Sequence, residues 1–154
     1  MTSRRRQITL TEAEIAAFLA EQRTVICATN GRSGWPHLMP LWYVVRDGDL
    51  WAWTYAKSQK VRNLERDPRA TLQIEAGETY DQLRGVMIEA ETEIHRDRDV
   101  VARLGADLAQ RYGGGALQPG AMQAIEAQAA KRVALHFVAR RTASWDHRKL
   151  AGAY

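Results

Sequence analysis

Cysteine is almost missing: the 154 residues contain one, Cys27. An intrachain disulfide and a cysteine-built metal centre are therefore excluded. Cys27 stands in the apolar run Val25-Ile26-Cys27-Ala28, where a buried, unreactive thiol is the expected state. Proline (4) and glycine (11) are also few, and 45% apolar with 26% charged residues excludes collagen-like, low-complexity and disordered classes. No stretch reaches the roughly 18 consecutive apolar residues of a membrane span. Arg4-Arg5-Arg6 is followed by a charged amphipathic pattern and not by the apolar stretch of an export signal. A cytoplasmic chain with a flexible basic start over residues 1–9 is expected. His37, His95, His136 and His147 stand singly, with no i, i+4 pair on a helix, so no dedicated metal site is expected. Walker loops, the dinucleotide-binding glycine fingerprint and a nucleophile elbow are missing as well.

What remains is a chain of the size of one domain, spanning 1–154. Thr11-Glu12-Ala13-Glu14 has capping-box spacing, with Leu10 and Ile15 placed as a hydrophobic staple, so a helix starts there and ends near Gln22 or Arg23. Strand period then takes over at 24–29, 35–45 and 50–55, separated by the turn dipeptides Asn30-Gly31 and Asp47-Gly48. A basic helix at 57–66 is closed by Asp67-Pro68. Further strands follow at 69–76, 84–95 and 132–145, with helices at 97–112 and around Met122, Ile125 and Ala129. Six antiparallel strands with inserted helices predict an α+β fold built on a closed or split β-barrel.

Aromatic residues concentrate between 35 and 55: Trp35, Trp42, Tyr43, Trp51, Trp53 and Tyr55. On neighbouring strands they can form core, a dimer interface or the wall of a flat ligand. From Thr54 a strand gives way to a helix whose start carries Lys57, Ser58, Lys60 and Arg62. Helix amides and dipole already favour anions there, so the segment reads either as a phosphate site or as a solvated basic helix capped by Ser58. Glu89, Glu91 and Glu93 alternate as the wet face of a strand, and His136 reads as a solvent-facing or pairing residue. The net charge of +4 is therefore local. It favours a small phosphorylated ligand over nucleic acid, although the basic surplus and the tryptophans keep a nucleic-acid-binding barrel in view.

The succession Gly34-Trp35-Pro36-His37-Leu38-Met39-Pro40-Leu41-Trp42-Tyr43, Asp47-Gly48, Leu50-Trp51, Thr54 to Ser58, Lys60, Arg62-Asn63-Leu64 and Asp67-Pro68-Arg69 resembles the pyridoxamine 5'-phosphate oxidase-like superfamily. Together with Ser144-Trp145-Asp146-His147-Arg148-Lys149-Leu150, it is most similar to the flavin/deazaflavin oxidoreductase branch, over roughly 12–150. The resemblance implies a six-stranded antiparallel split β-barrel with flanking helices. It also implies a homodimer with two cofactor sites in the subunit interface. The cofactor ring would lie near His37, Pro40, Leu41 and Trp42, and its phosphate near Thr54, Lys57, Ser58 and Lys60. Trp145 would approach from the last strand, of either subunit. The segment with which the vitamin B6 oxidase grips its substrate is not seen after Leu150. The implied activity is hydride transfer between reduced coenzyme F420, a deazaflavin, and a small unsaturated organic substrate. Any proton would come from solvent or His37. The alternatives are an FMN-dependent oxidase or reductase and a non-catalytic flavin- or haem-binding module. No nucleic-acid or membrane partner is expected.

Overall fold

The computed structural model describes residues 3–151. One helical turn, α1 (Arg4–Gln7), leads to α2 (Glu12–Glu21). The predicted cap forms: the Thr11 hydroxyl accepts the Glu14 amide at 3.2 Å, and the Glu14 carboxylate accepts the Thr11 amide at 2.7 Å. Of the start expected to be flexible, Met1 and Thr2 lie outside the described residues. The Ile8 and Thr9 carbonyls accept the Asp146 amide (2.7 Å) and the Lys149 ammonium (3.0 Å).

Seven strands follow, one more than the sequence pattern suggests: β1 (Val25–Asn30), β2 (Pro36–Leu41), β3 (Val44–Arg46), β4 (Asp49–Tyr55), β5 (Arg69–Ala76), β6 (Arg84–His95) and β7 (Arg132–Asp146). The extra strand arises because the run at 35–45 breaks at Trp42-Tyr43. Tyr43 and Val44 are consecutive and both buried, which a period of two forbids, and they serve different cores. The break is pinned from elsewhere. The Tyr43 hydroxyl donates to the Leu19 carbonyl at 2.7 Å, and the Tyr112 hydroxyl accepts the Tyr43 amide at 3.0 Å. Arg111 caps the end of α2 through the Leu19 (3.0 Å) and Gln22 (2.7 Å) carbonyls and also donates to the Tyr43 carbonyl.

All pairings are antiparallel, in the order β2-β1-β5-β6-β7-β4-β3. Laid flat, such a sheet would hold its two edges roughly 29 Å apart. Leu41 and Val44, the ends of those edges, are three residues apart and so within about 11 Å. The sheet must roll. No ladder joins β2 to β3 among the described residues, so it is not closed, and the expected six-stranded barrel is replaced by a rolled seven-stranded sheet.

The inner face buries Val25, Cys27, Leu50, Leu72, Val86 and Phe137 against Phe18 and Leu19 of α2 and Val61 and Leu64 of α3 (Gln59–Arg66). A second core lies outside the β3-β4-β7 flank, where α4 (Arg98–Tyr112) contributes Val101, Leu104 and Leu108 and α5 (Ala121–Ala129) contributes Ala129. Gly105 lets α4 settle there, because a side chain at 105 would collide with the Trp53 ring. On β5 and β6 the outward residues Gln73 and Glu91 are exposed and Thr71 and Met87 half-buried. No helix among the described residues is long and apolar enough to cross a membrane.

Candidate functional site

The β4-to-α3 junction produces the most unusual chemistry in the molecule. Thr54 points inward on β4, and the register places it opposite Val133. Its hydroxyl accepts a hydrogen bond from the Lys60 ammonium at 3.0 Å. Lys60 is only 6% exposed and has no carboxylate partner among the described residues, so burial lowers its pKa from the ordinary lysine value. Ser58 is the N-cap of α3, but its hydroxyl does not cap the helix, and Ser58 Oγ is buried without a hydrogen-bond partner. The first amides of α3 have no preceding helical carbonyl to bond. An underused buried cation, an orphaned hydroxyl and free helix-start amides thus share one corner.

Beside it opens a cleft of about 510 Å³ lined by Thr24, Pro40, Leu41, Trp42, Trp53, Thr54, Tyr55 and Arg132. Trp42, exposed for more than half its surface, is held flat on Tyr112, with ring centroids 4.3 Å apart and planes at 6°. The Arg132 guanidinium lies over both Trp53 (4.7 Å) and Tyr55 (4.3 Å). The cleft therefore offers flat apolar walls and a fixed cation within reach of the Lys60 corner.

Of the residues expected from sequence, Pro40, Leu41, Trp42 and Thr54 line this cleft, and Lys60 and Ser58 adjoin it through Thr54 and the α3 cap. Lys57 is exposed on the approach. Two others lie elsewhere. His37 pairs with Thr29, four residues or about 13 Å along β2 from Leu41, and its Nδ1 is buried without a partner. Trp145 pairs with Gly85, whose lack of a side chain makes room for the indole, at the end of β7 remote from Arg132. Within one chain it does not reach the cleft. Thr24, Trp53, Tyr55 and Arg132 are the lining residues that sequence motifs did not single out as site residues. Arg132 reaches the cleft through its register opposite Tyr55, which only the structure shows.

Cys27 is fully buried, and desolvation pushes its thiol up to about 12, which removes it from nucleophilic chemistry. The glutamate row on β6 is not merely wet. Glu89 meets Arg141 at 3.7 Å, Glu91 meets Arg140 at 3.1 Å and Glu93 meets His136 at 3.1 Å, all across β7. His95 and His136, isolated in sequence, are neighbours on the rolled sheet.

Comparison with known proteins places the fold in a family. The pyridoxamine 5'-phosphate oxidase family model matches residues 11–146. A conserved hypothetical protein, Rv2991 of Mycobacterium tuberculosis, is 45% identical, with a TM-score of 0.89 over 97% of this chain and 93% of that one. An F420 reductase (20% identity, TM-score 0.64, 82% and 94% covered) and HutZ, the haem storage protein of Vibrio cholerae (17%, 0.67, 88% and 93%), share the fold. No curated protein matches. Because the family match extends from the α2 cap through every strand and helix that shapes the cleft, the chain belongs to the pyridoxamine 5'-phosphate oxidase family.

Proposed function

We propose that the chain is an oxidoreductase that binds coenzyme F420 in the cleft, across a homodimer interface, and transfers hydride to a small unsaturated organic substrate. The observation that carries this reading is the buried Lys60–Thr54 pair beside the orphaned Ser58 Oγ at the start of α3. These groups fit a phosphate: it would accept from the Ser58 hydroxyl, the Lys60 ammonium and the first α3 amides, each of which lacks a full complement of acceptors. A bound deazaflavin would supply the hydride. Trp42, Leu41 and Pro40 would orient a planar ring, and Arg132 would hold a second anionic or carbonyl group at the cleft mouth. The aromatic walls would shield one side of a bound ring from water. No side chain in the cleft is placed as an acid or base, so solvent delivers any proton; His37 lies too far along β2 within its own chain. The exposed apolar row Trp35, Leu38, Met39 and Trp42 along the β2 edge supports a second copy completing the site, and from such a copy Trp145 could approach.

The same corner fits FMN, whose phosphate and tricyclic ring pose the same demands. Titration of the purified chain with F420 and with FMN, followed by fluorescence, decides between them. Saturable binding of F420 near one equivalent per chain, weakened at least tenfold in Ser58→Ala or Lys60→Met, supports the proposal. Stoichiometric FMN with no saturable F420 binding overturns it.

A further inference from the structure

A second constellation lies on the outer face of the sheet, away from the cofactor corner. Glu93 and His95 share one face of β6, and the register sets Glu93 opposite His136 of β7. His136 in turn lies opposite Trp51 of β4. The indole of Trp51 stacks on both imidazoles, at 4.2 Å and 8° on His136 and at 5.2 Å and 29° on His95. His136 Nδ1 is 3.1 Å from Glu93 Oε2, which is 3.6 Å from His95 Nε2. All three donor atoms lie within 4.8 Å of one another.

A carboxylate stands on the other side of His136. Its Nε2 stands 2.8 Å from Asp49 Oδ2, and Asp49 Oδ1 accepts the Ala139 amide at 3.1 Å. When Nε2 carries the proton and donates it to Asp49, a pure acceptor, Nδ1 offers the lone pair that a metal ion takes. Nδ1 faces the Glu93 carboxylate, and either a proton or a metal ion bound to both can bridge that contact. A carboxylate behind a histidine is also the usual outer support of a metal ligand. His95 Nε2 is buried without a hydrogen-bond partner, its 3.6 Å separation from Glu93 being too long for one. Arg46, whose guanidinium lies 5.2 Å from the Trp51 ring, is paired with Asp107 at 2.5 Å and does not fill the role.

We propose that His136 Nδ1, His95 Nε2 and Glu93 Oε2 bind a divalent transition metal of the zinc class, with Asp49 as the positioning residue behind His136. Tetrahedral zinc with bonds of about 2.0–2.1 Å needs donors roughly 3.3 Å apart, close to the two distances that Glu93 already makes. Only the imidazoles must draw together. Two nitrogens and one oxygen suit zinc, cobalt or nickel, and not calcium or magnesium, which require oxygen cages. The exposed side of Glu93 leaves the fourth position to water. This site is independent of the cofactor reading.

The test titrates untagged, chelator-stripped full-length chain with ZnCl₂ by calorimetry and with CoCl₂ by visible absorption. One equivalent of zinc per chain and the strong d–d bands of four-coordinate cobalt are expected. Affinity should fall more than about 100-fold in His136→Gln or His95→Gln and about 10- to 100-fold in Asp49→Asn, the latter with unchanged stoichiometry. If a histidine variant does not fold, Glu93→Gln, on the solvent side, keeps the test open and should weaken binding at least tenfold. Thermal melting should rise with zinc in the parent chain and not in that variant. Lack of saturable binding overturns the proposal, as does parent-like affinity in Glu93→Gln or in the folded histidine variants.

Discussion

Lys60 concentrates the residue-scale physics of the cleft. A lysine 6% exposed and bonded only to a neutral threonine keeps its proton at a cost, which burial registers as a lowered pKa. A phosphate bound as proposed would offset that cost, favouring the protonated form and raising its pKa. Cofactor affinity should therefore hold steady at low pH and fall as pH rises through the depressed pKa of the free protein. Lys60→Met removes the charge and keeps the length. We expect cofactor affinity to drop about 10- to 100-fold, the worth of a charge-assisted hydrogen bond, with the melting temperature unchanged or raised. A lowered melting temperature with parent-like affinity and the same pH profile would show that Lys60 serves the fold instead. The grouping of Lys57, Ser58 and Lys60 was legible in the sequence. Their division of labour was not: Lys60 is buried and Lys57 exposed only because Val61 and Leu64 turn one face of α3 inward.

Among the elements, the short ones carry the surprises. The pattern of β6 was readable residue by residue, because one wet face enforces period two. The break between β2 and β3 was not, since it depends on partners far along the chain: Leu19, Arg111 and Tyr112. Arg111→Met should strip the guanidinium from the Leu19, Gln22 and Tyr43 carbonyls, leaving them only the Tyr43 and Tyr112 hydroxyls, and cost about 1.5–3 kcal/mol in urea unfolding. A change below roughly 0.5 kcal/mol would mean that the corner does not depend on the guanidinium. The distribution of glutamates was also legible, whereas their partners were not, because a register irregularity at Glu89/Ala90 decides which β7 residue each one meets. At the end of β7, Asp146 is buried and accepts from the Arg148 guanidinium at 2.9 and 2.7 Å and from the Arg148 amide at 3.0 Å. The Arg148 side-chain bond holds its carboxyl below the usual range. A depressed folded pKa contributes stability above the unfolded value, near 4, that is lost as pH falls through the folded one. Asp146→Asn should thus be less stable at neutral pH, with the difference closing as the pH falls through the depressed folded pKa. Parallel stability curves for the two proteins across the acid range would refute that linkage.

At the scale of the whole molecule, one constraint shapes the rest: a seven-stranded sheet whose two edges are consecutive in sequence must roll, and it presents the β2 edge outward when it does. That edge exposes Leu38 (55%) on the outer face and Met39 (43%) on the opposite one, flanked by Trp35 and Trp42, an apolar edge unsuited to a surface left to water. The sequence grouped Trp35 and Trp42 with the other aromatic residues of 35–55 but left core, interface and ligand wall open for them, because strand period alone does not say which strand ends at an edge. The cleft opens beside the same edge, through Pro40, Leu41 and Trp42, so pairing of two copies there would wall the cofactor site. Leu38 faces outward opposite Ala28, so a charge at 38 disturbs no inner-core contact. Leu38→Glu should therefore keep the secondary structure and melting cooperativity of the parent while shifting sedimentation from dimer to monomer. Cofactor affinity should fall in step with the dimer fraction and recover as protein concentration rises, because assembly and binding are linked by mass action. Parent-like affinity in a chain that sediments as a monomer at every concentration would show that one copy holds the complete site.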